Sequence, residues 1–101
     1  MNNTRRKAIK QTINRFDSIR NKLKELVSEF ESVKSDVEDI QFEEEEYRDN
    51  MPESMQWGER YDKADNACTN LSDAVDALSD MIDDLDFDFG DVTTYLEEAM
   101  E

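Results

Sequence analysis

Carboxylates dominate the groups in this chain that could do chemistry. From Glu25 onward there are 26 acids against four bases, Lys34, Arg48, Arg60 and Lys63. One cluster, Glu43, Glu44, Glu45, Glu46 and Asp49, precedes the only proline; a second series, Asp62, Asp65, Asp73, Asp76, Asp80, Asp83 and Asp84, follows it. On a helix, acids three or four positions apart form rows with roughly 5–6 Å between neighbours. Duplex DNA carries about one charge per 1.7 Å of its axis. Several such rows on a rigid rod therefore approximate a phosphate surface. A rod of this kind suits the basic groove of a nucleic-acid-binding protein, and its field would steer the encounter. The plainer reading is that the acids only keep a long helical structure in solution.

Other chemistry finds less support. The chain has no His, hence no Ser–His or Cys–His pair, and it carries no glycine-rich phosphate loop. Paired carboxylates need burial and divergent pKa values for acid–base work, whereas these fall mostly on solvent-facing positions, so the chain reads as non-enzymatic. Cys68, the single cysteine, sits between Ala64 and Leu71 in an apolar series and reads as a buried packing residue. Asp84, Asp86 and Asp88, ending at Gly90, have the alternation of a calcium loop. Yet Phe89 stands where an EF-hand has its glycine and Tyr95 where it has its bidentate glutamate, so no metal or other cofactor is expected. The basic stretch Arg5–Lys24 could meet nucleic-acid phosphates or an anionic membrane. A net charge of -15 opposes that approach at long range, and neither partner is expected.

What must position these groups follows from composition and spacing. With 101 residues there is room for one domain. Two Gly and one Pro argue against an all-β fold, which needs many tight turns. The 37% apolar and 39% charged composition suits either disorder or amphipathic helices, and the apolar periodicity decides for helices. Ile9, Phe16, Leu23, Phe30 and Val37 recur every seven residues; Ile19, Leu26, Val33, Ile40 and Tyr47 repeat at the same interval, offset by three. These are heptad a and d positions and predict one long helix over 4–49, packed along an a/d seam, with Thr4 as its N-cap. Apolar Ile13, Val27, Phe42, Ala67, Ala74 and Met81 lie beside the seam.

Residues 50–58, with Pro52 unable to continue a helix, predict a loop, and Trp57 is expected to fold over the helix ends. From Tyr61 the rhythm resumes through Ala64, Cys68, Leu71, Val75, Leu78, Ile82 and Leu85 and stays in phase to Leu96. A second helix is expected over 59–100, kinked near 87–91; the alternative is a short third helix from about Asp91 with Gly90 as the preceding C′ residue. The fold class expected is all-α, one helical-hairpin domain over 1–101 with antiparallel helices. Charge agrees: residues 1–24 carry eight bases and one acid, residues 72–101 eleven acids and no base, and an antiparallel hairpin sets one beside the other. A single seam buries little area against backbone entropy. The chain is therefore expected either to dimerise into a four-helix bundle, the favoured reading, or to fold its C-terminal segment back.

The turn carries a resemblance. Asn50-Met51-Pro52-Glu53-Ser54-Met55-Gln56, the acids before it, Glu59-Arg60-Tyr61 after it, and Asn70-Leu71 with Ala74 and Leu78 further on resemble small acidic helical proteins of phages and mobile elements of Gram-positive bacteria. The resemblance covers about residues 20–85. It implies a helical hairpin of phage origin and carries no catalytic residues. The expectation it leaves is a phage-encoded inhibitor in the cytoplasm of a bacterial host. A single cysteine fits such a reducing compartment, no apolar run approaches a membrane span, and the basic start lacks the apolar stretch of a secretory signal. Its partner would be a host defence protein with a basic surface, met by the twelve carboxylates named at the outset. The alternative is a scaffolding hairpin whose acids serve solubility alone.

Overall fold

The computed structural model describes residues 1–86 and 89–101. All regular structure among them is helical: α1 Asn3–Asp49, a 3₁₀ turn Glu53–Met55, α2 Glu59–Asp84 and α3 Gly90–Ala99. The all-α class expected from the periodicity is the class the chain adopts. None of these helices is long and apolar enough to cross a membrane.

The ends of the helices have local causes. The cap of α1 is Asn2 rather than Thr4: the Arg5 N–H donates to Asn2 Oδ1 at 2.8 Å, which satisfies one of the free N–H groups of the first turn. At the other end Arg48 lies in the last turn of α1, a cation where the helix dipole is negative, and Pro52 follows. Helix α2 has no such help. Its last turn holds no base, and Asp83 and Asp84 put negative charge against a negative dipole end. It stops at Asp84, and α3 opens at Gly90, so the single helix to residue 100 favoured by phase continuity is replaced by two. The expected kink at 87–91 begins on residues 87 and 88, which lie outside the described residues. Gly90 is the first residue of α3 rather than a left-handed C′ residue, and no described glycine has positive φ.

The chain divides into two compact units, residues 29–84 and residues 1–28 with 85–101. In the first, the later part of α1 and α2 form an antiparallel hairpin. Arg48 Nη1 donates to Asp65 Oδ1 at 3.0 Å, and this bridge marks the register. Met51, Ala64 and Cys68 are buried; two small side chains on α2 let the helices approach, and Met51 closes the end. The turn holds itself by Met55 N–H to the Pro52 carbonyl at 2.8 Å and Gly58 N–H to the Met55 carbonyl at 3.1 Å. Trp57 does not cover the helix ends; it is 91% exposed because Met51 already occupies that place.

In the other unit the early part of α1 runs antiparallel to α3. Arg6 Nε donates to the Met100 carbonyl at 3.0 Å, and the Phe16 and Phe89 rings lie 5.5 Å apart, tilted by 41°. The Arg20 guanidinium stands 6.0 Å above the Phe89 ring, within cation–π range. The expected charge pairing takes a different form here. Among the described residues no ion pair joins the bases of 1–24 to the acids of 85–101; the arginines meet a carbonyl and a ring instead.

The largest correction concerns the seam. Phe16, Leu23, Phe30 and Val37 are half-buried as a positions should be, but Ile19, Leu26, Val33, Ile40 and Tyr47 are 46–53% exposed. The second half-buried row is e: Ile13, Arg20, Val27, Lys34, Gln41 and Arg48. On a helical wheel d and e flank a on opposite sides, each three or four residues away. One neighbouring helix covers a and the e side and leaves d uncovered.

The packing predicts opposite fates for two large side chains of the turn. Met51→Ala should lower unfolding free energy by about 2–4 kcal/mol, the range for emptying a buried methionine site. Trp57→Ala should change it by less than about 0.5 kcal/mol. Urea titration followed by far-UV circular dichroism measures both.

Candidate interaction surface

All twelve carboxylates singled out from the sequence belong to the unit of residues 29–84. The structure sorts them by surroundings. Asp49 and Asp65 share the Arg48 guanidinium, at 2.9 Å and 3.0 Å, and so have their charge offset. The hydrogen bond to Asp49, foremost among several such contacts, pushes the Arg48 pKa up. Glu44 and Glu45 are half-buried, and Glu45 accepts from Gln41 Nε2 at 3.0 Å. Asp62 lies in the first turn of α2, where it complements the positive dipole end. Of these five, Asp65 alone is bonded across the hairpin, through Arg48.

The rest are exposed and form no ion pair among the described residues: Glu43, Glu46, Asp73, Asp76, Asp80, Asp83 and Asp84. They are not one patch. Glu43 and Glu46, three positions apart, share one side of α1, and the others lie on α2. On α2 the spacing 73, 76, 80, 83 alternates three and four and keeps one side. The structure thus brings together one row of four carboxylates, on a helix whose apolar side is held against α1.

The two flanks of the hairpin differ in chemistry. On one flank Arg48 bridges to Asp65, and a shallow groove there is lined by Gln41, Glu45, Ser72 and Asp73. The other flank carries Tyr47 beside Arg60, Lys63 and Ala64. Stepping back along both helices by heptads from that register sets Tyr47, Ile40 and Val33 abreast of Ala67, Ala74 and Met81. Beyond the charged Glu44, Glu59, Arg60 and Lys63 near the turn, this flank is apolar, and apart from Ala67, which is half-buried, its apolar residues are exposed.

A comparison with protein-family models, with curated proteins and with solved structures finds no match. The resemblance of the Asn50–Gln56 turn to small acidic phage proteins therefore stands on the residues of the chain alone.

Sequence reasoning passed over the exposed d row, assigning it to the internal seam. A signal was present. The long helix offers apolar residues at a, d and part of e, more rows than one neighbouring helix can cover. Among the described residues no group of three or more His, Cys, Asp or Glu is placed to hold a metal ion; the run resembling a calcium loop includes residues 87 and 88, outside the described residues.

Cys68 is the one thiol of the hairpin, and it is buried. Burial pushes its thiol pKa up, against a smaller opposing pull from Arg48. The sign of the linkage follows. The folded chain holds the thiol proton more tightly than the unfolded chain, so this contribution to stability is intact below the ordinary thiol value of roughly 8.5. It is lost as pH rises from there through the folded value. Denaturant unfolding at neutral pH and above that value should show a larger alkaline loss of stability in the unaltered chain than in Cys68→Ala.

Proposed function

We propose that this chain is a non-enzymatic acidic interaction protein of phage origin, acting in the cytoplasm of a bacterial host. Its partner is a host defence protein whose basic, nucleic-acid-binding surface it occupies in place of DNA. The observation that carries this reading is the row Asp73, Asp76, Asp80 and Asp83, exposed on one side of α2 and without ion pairs among the described residues. Four charges at helical spacing present a regular anionic edge, and its backbone is already ordered by the helix before binding. Glu43, Glu46 and Asp84 enlarge the surrounding field without joining the row. The active form is a homodimer in which two hairpins make a four-helix bundle.

A scaffolding role is the second reading, favoured by the apolar flank of Val33, Ile40 and Tyr47. In that case assembly is the function and the carboxylates serve solubility.

The two separate on charge. With the tagged chain as bait in bacterial lysate, captured protein should be released by salt, because exposed ion pairs are screened within about 10 Å at 0.1 M. Excess duplex DNA should release it too. Reversing Asp73, Asp76, Asp80 and Asp83 to lysine should abolish capture at unchanged helicity. Capture that survives both salt and DNA would reject the mimicry and leave the scaffold.

A further inference from the structure

The apolar flank of the unit formed by residues 29–84 lies open, and we infer that it is a docking face for a cationic amphipathic helix of a partner protein. The inference goes beyond the mimicry proposed above and uses none of the four carboxylates that carry it. Three observations support it, all within that one unit.

First, the spacing of the face matches a helix. Val33, Ile40 and Tyr47 keep a seven-residue interval and are about half exposed, as is Met81 across from them on α2. Ala74 is exposed and Ala67 half-buried. A row of period 3.5 fits another helix of that period, and helices dock on apolar surfaces through anchors at such intervals. From Val33 to Tyr47 the row is about 21 Å long at 1.5 Å per residue, which corresponds to about four turns of a partner helix.

Second, the border of the row is acidic. Glu29, Asp36 and Glu43 stand four residues before Val33, Ile40 and Tyr47, so they flank it on the side away from half-buried Phe30, Val37 and Glu44. All three are exposed and form no ion pair among the described residues. On α2, Asp84 follows Met81 by three residues and shares both properties. The bases of the unit are placed elsewhere. Lys34 and Arg48 belong to the opposite flank, while Arg60 and Lys63 stand at the turn end, where Lys63 pairs with Glu59 at 3.3 Å.

Third, the charge of the whole unit selects among occupants. Residues 29–84 carry 19 acids and four bases, whereas residues 1–28 with 85–101 carry eight of each. A second copy seated through this same unit would set like charge against like along the border, and an anionic membrane is repelled in the same way. A helix with apolar anchors and lysines or arginines beside them instead meets carboxylates that have no other base. The homodimer proposed above therefore has to form through another face.

The probe is a labelled helical peptide of about 18 residues, with leucine at heptad a and d and lysine beside them. It is titrated with the whole chain by fluorescence anisotropy at about 0.15 M salt. Glu29→Lys, Asp36→Lys and Glu43→Lys together should weaken binding at least tenfold, and so should Val33→Ser with Ile40→Ser. Asp76→Lys, Asp80→Lys and Asp83→Lys, an equal change of charge elsewhere, should weaken it less than threefold. These positions are exposed, so helicity by circular dichroism should be unchanged. A peptide of the same composition with its leucines scrambled should bind at least tenfold more weakly, a comparison that needs no variant of the chain. Equal loss from both triple reversals, equal binding of the scrambled peptide, or no binding at all would overturn the proposal. So would a dimer of the unaltered chain, seen by sedimentation, that Val33→Ser with Ile40→Ser disperses, because a second copy would then occupy the flank.

Discussion

A helix can bury only the stripe it turns towards a neighbour, and every feature of this chain follows from how few neighbours α1 has. Over residues 29–49 it meets α2, and over the early part it meets α3. Each contact is one helix on one helix. The half-buried rows are a and e, and only Met51, Ala64 and Cys68 are buried among the described residues. A third row of apolar residues is left facing solvent because nothing within either unit lies on that side.

Much of the architecture was legible beforehand. The absence of Gly and Pro from residues 4–49 marks α1, Asn50-Met51-Pro52 marks its end, and the resumed rhythm from Tyr61 marks α2. What escaped was of two kinds. Heptad spacing names two apolar rows without saying which is turned inward; that depends on the partner helix, whose Ala64 and Cys68 draw α1 close along a and e. Phase continuity likewise speaks only for side-chain direction. It carries no information about where the backbone breaks, and α2 ends at Asp84 with no base in its last turn. The carboxylates could not be divided by linear inspection: Glu44 and Glu45 are half-buried and the other ten exposed. Asp49 and Asp65 turned out to share Arg48, while Asp73, Asp76, Asp80 and Asp83 remained open to solvent, and the difference arises from which acid the hairpin register brings within reach of a base.

The hairpin is thereby sided. Its polar flank contains the Arg48–Asp65 bridge, its opposite flank is apolar, and the four-acid row lies on the outer part of α2, away from that apolar flank. The apolar flank and the anionic edge share no residues. Repulsion among the acids also disfavours any packing of one hairpin on another that sets two such rows together.

The position of Trp57 has a practical consequence for optical work. Its indole is almost fully in water in the folded chain, so its emission resembles that of a denatured polypeptide before any denaturant is added. Intrinsic fluorescence would be nearly blind to unfolding. The same ring would brighten or shift to the blue as soon as another molecule covered the tip of the hairpin, which makes it a built-in reporter of docking at that end.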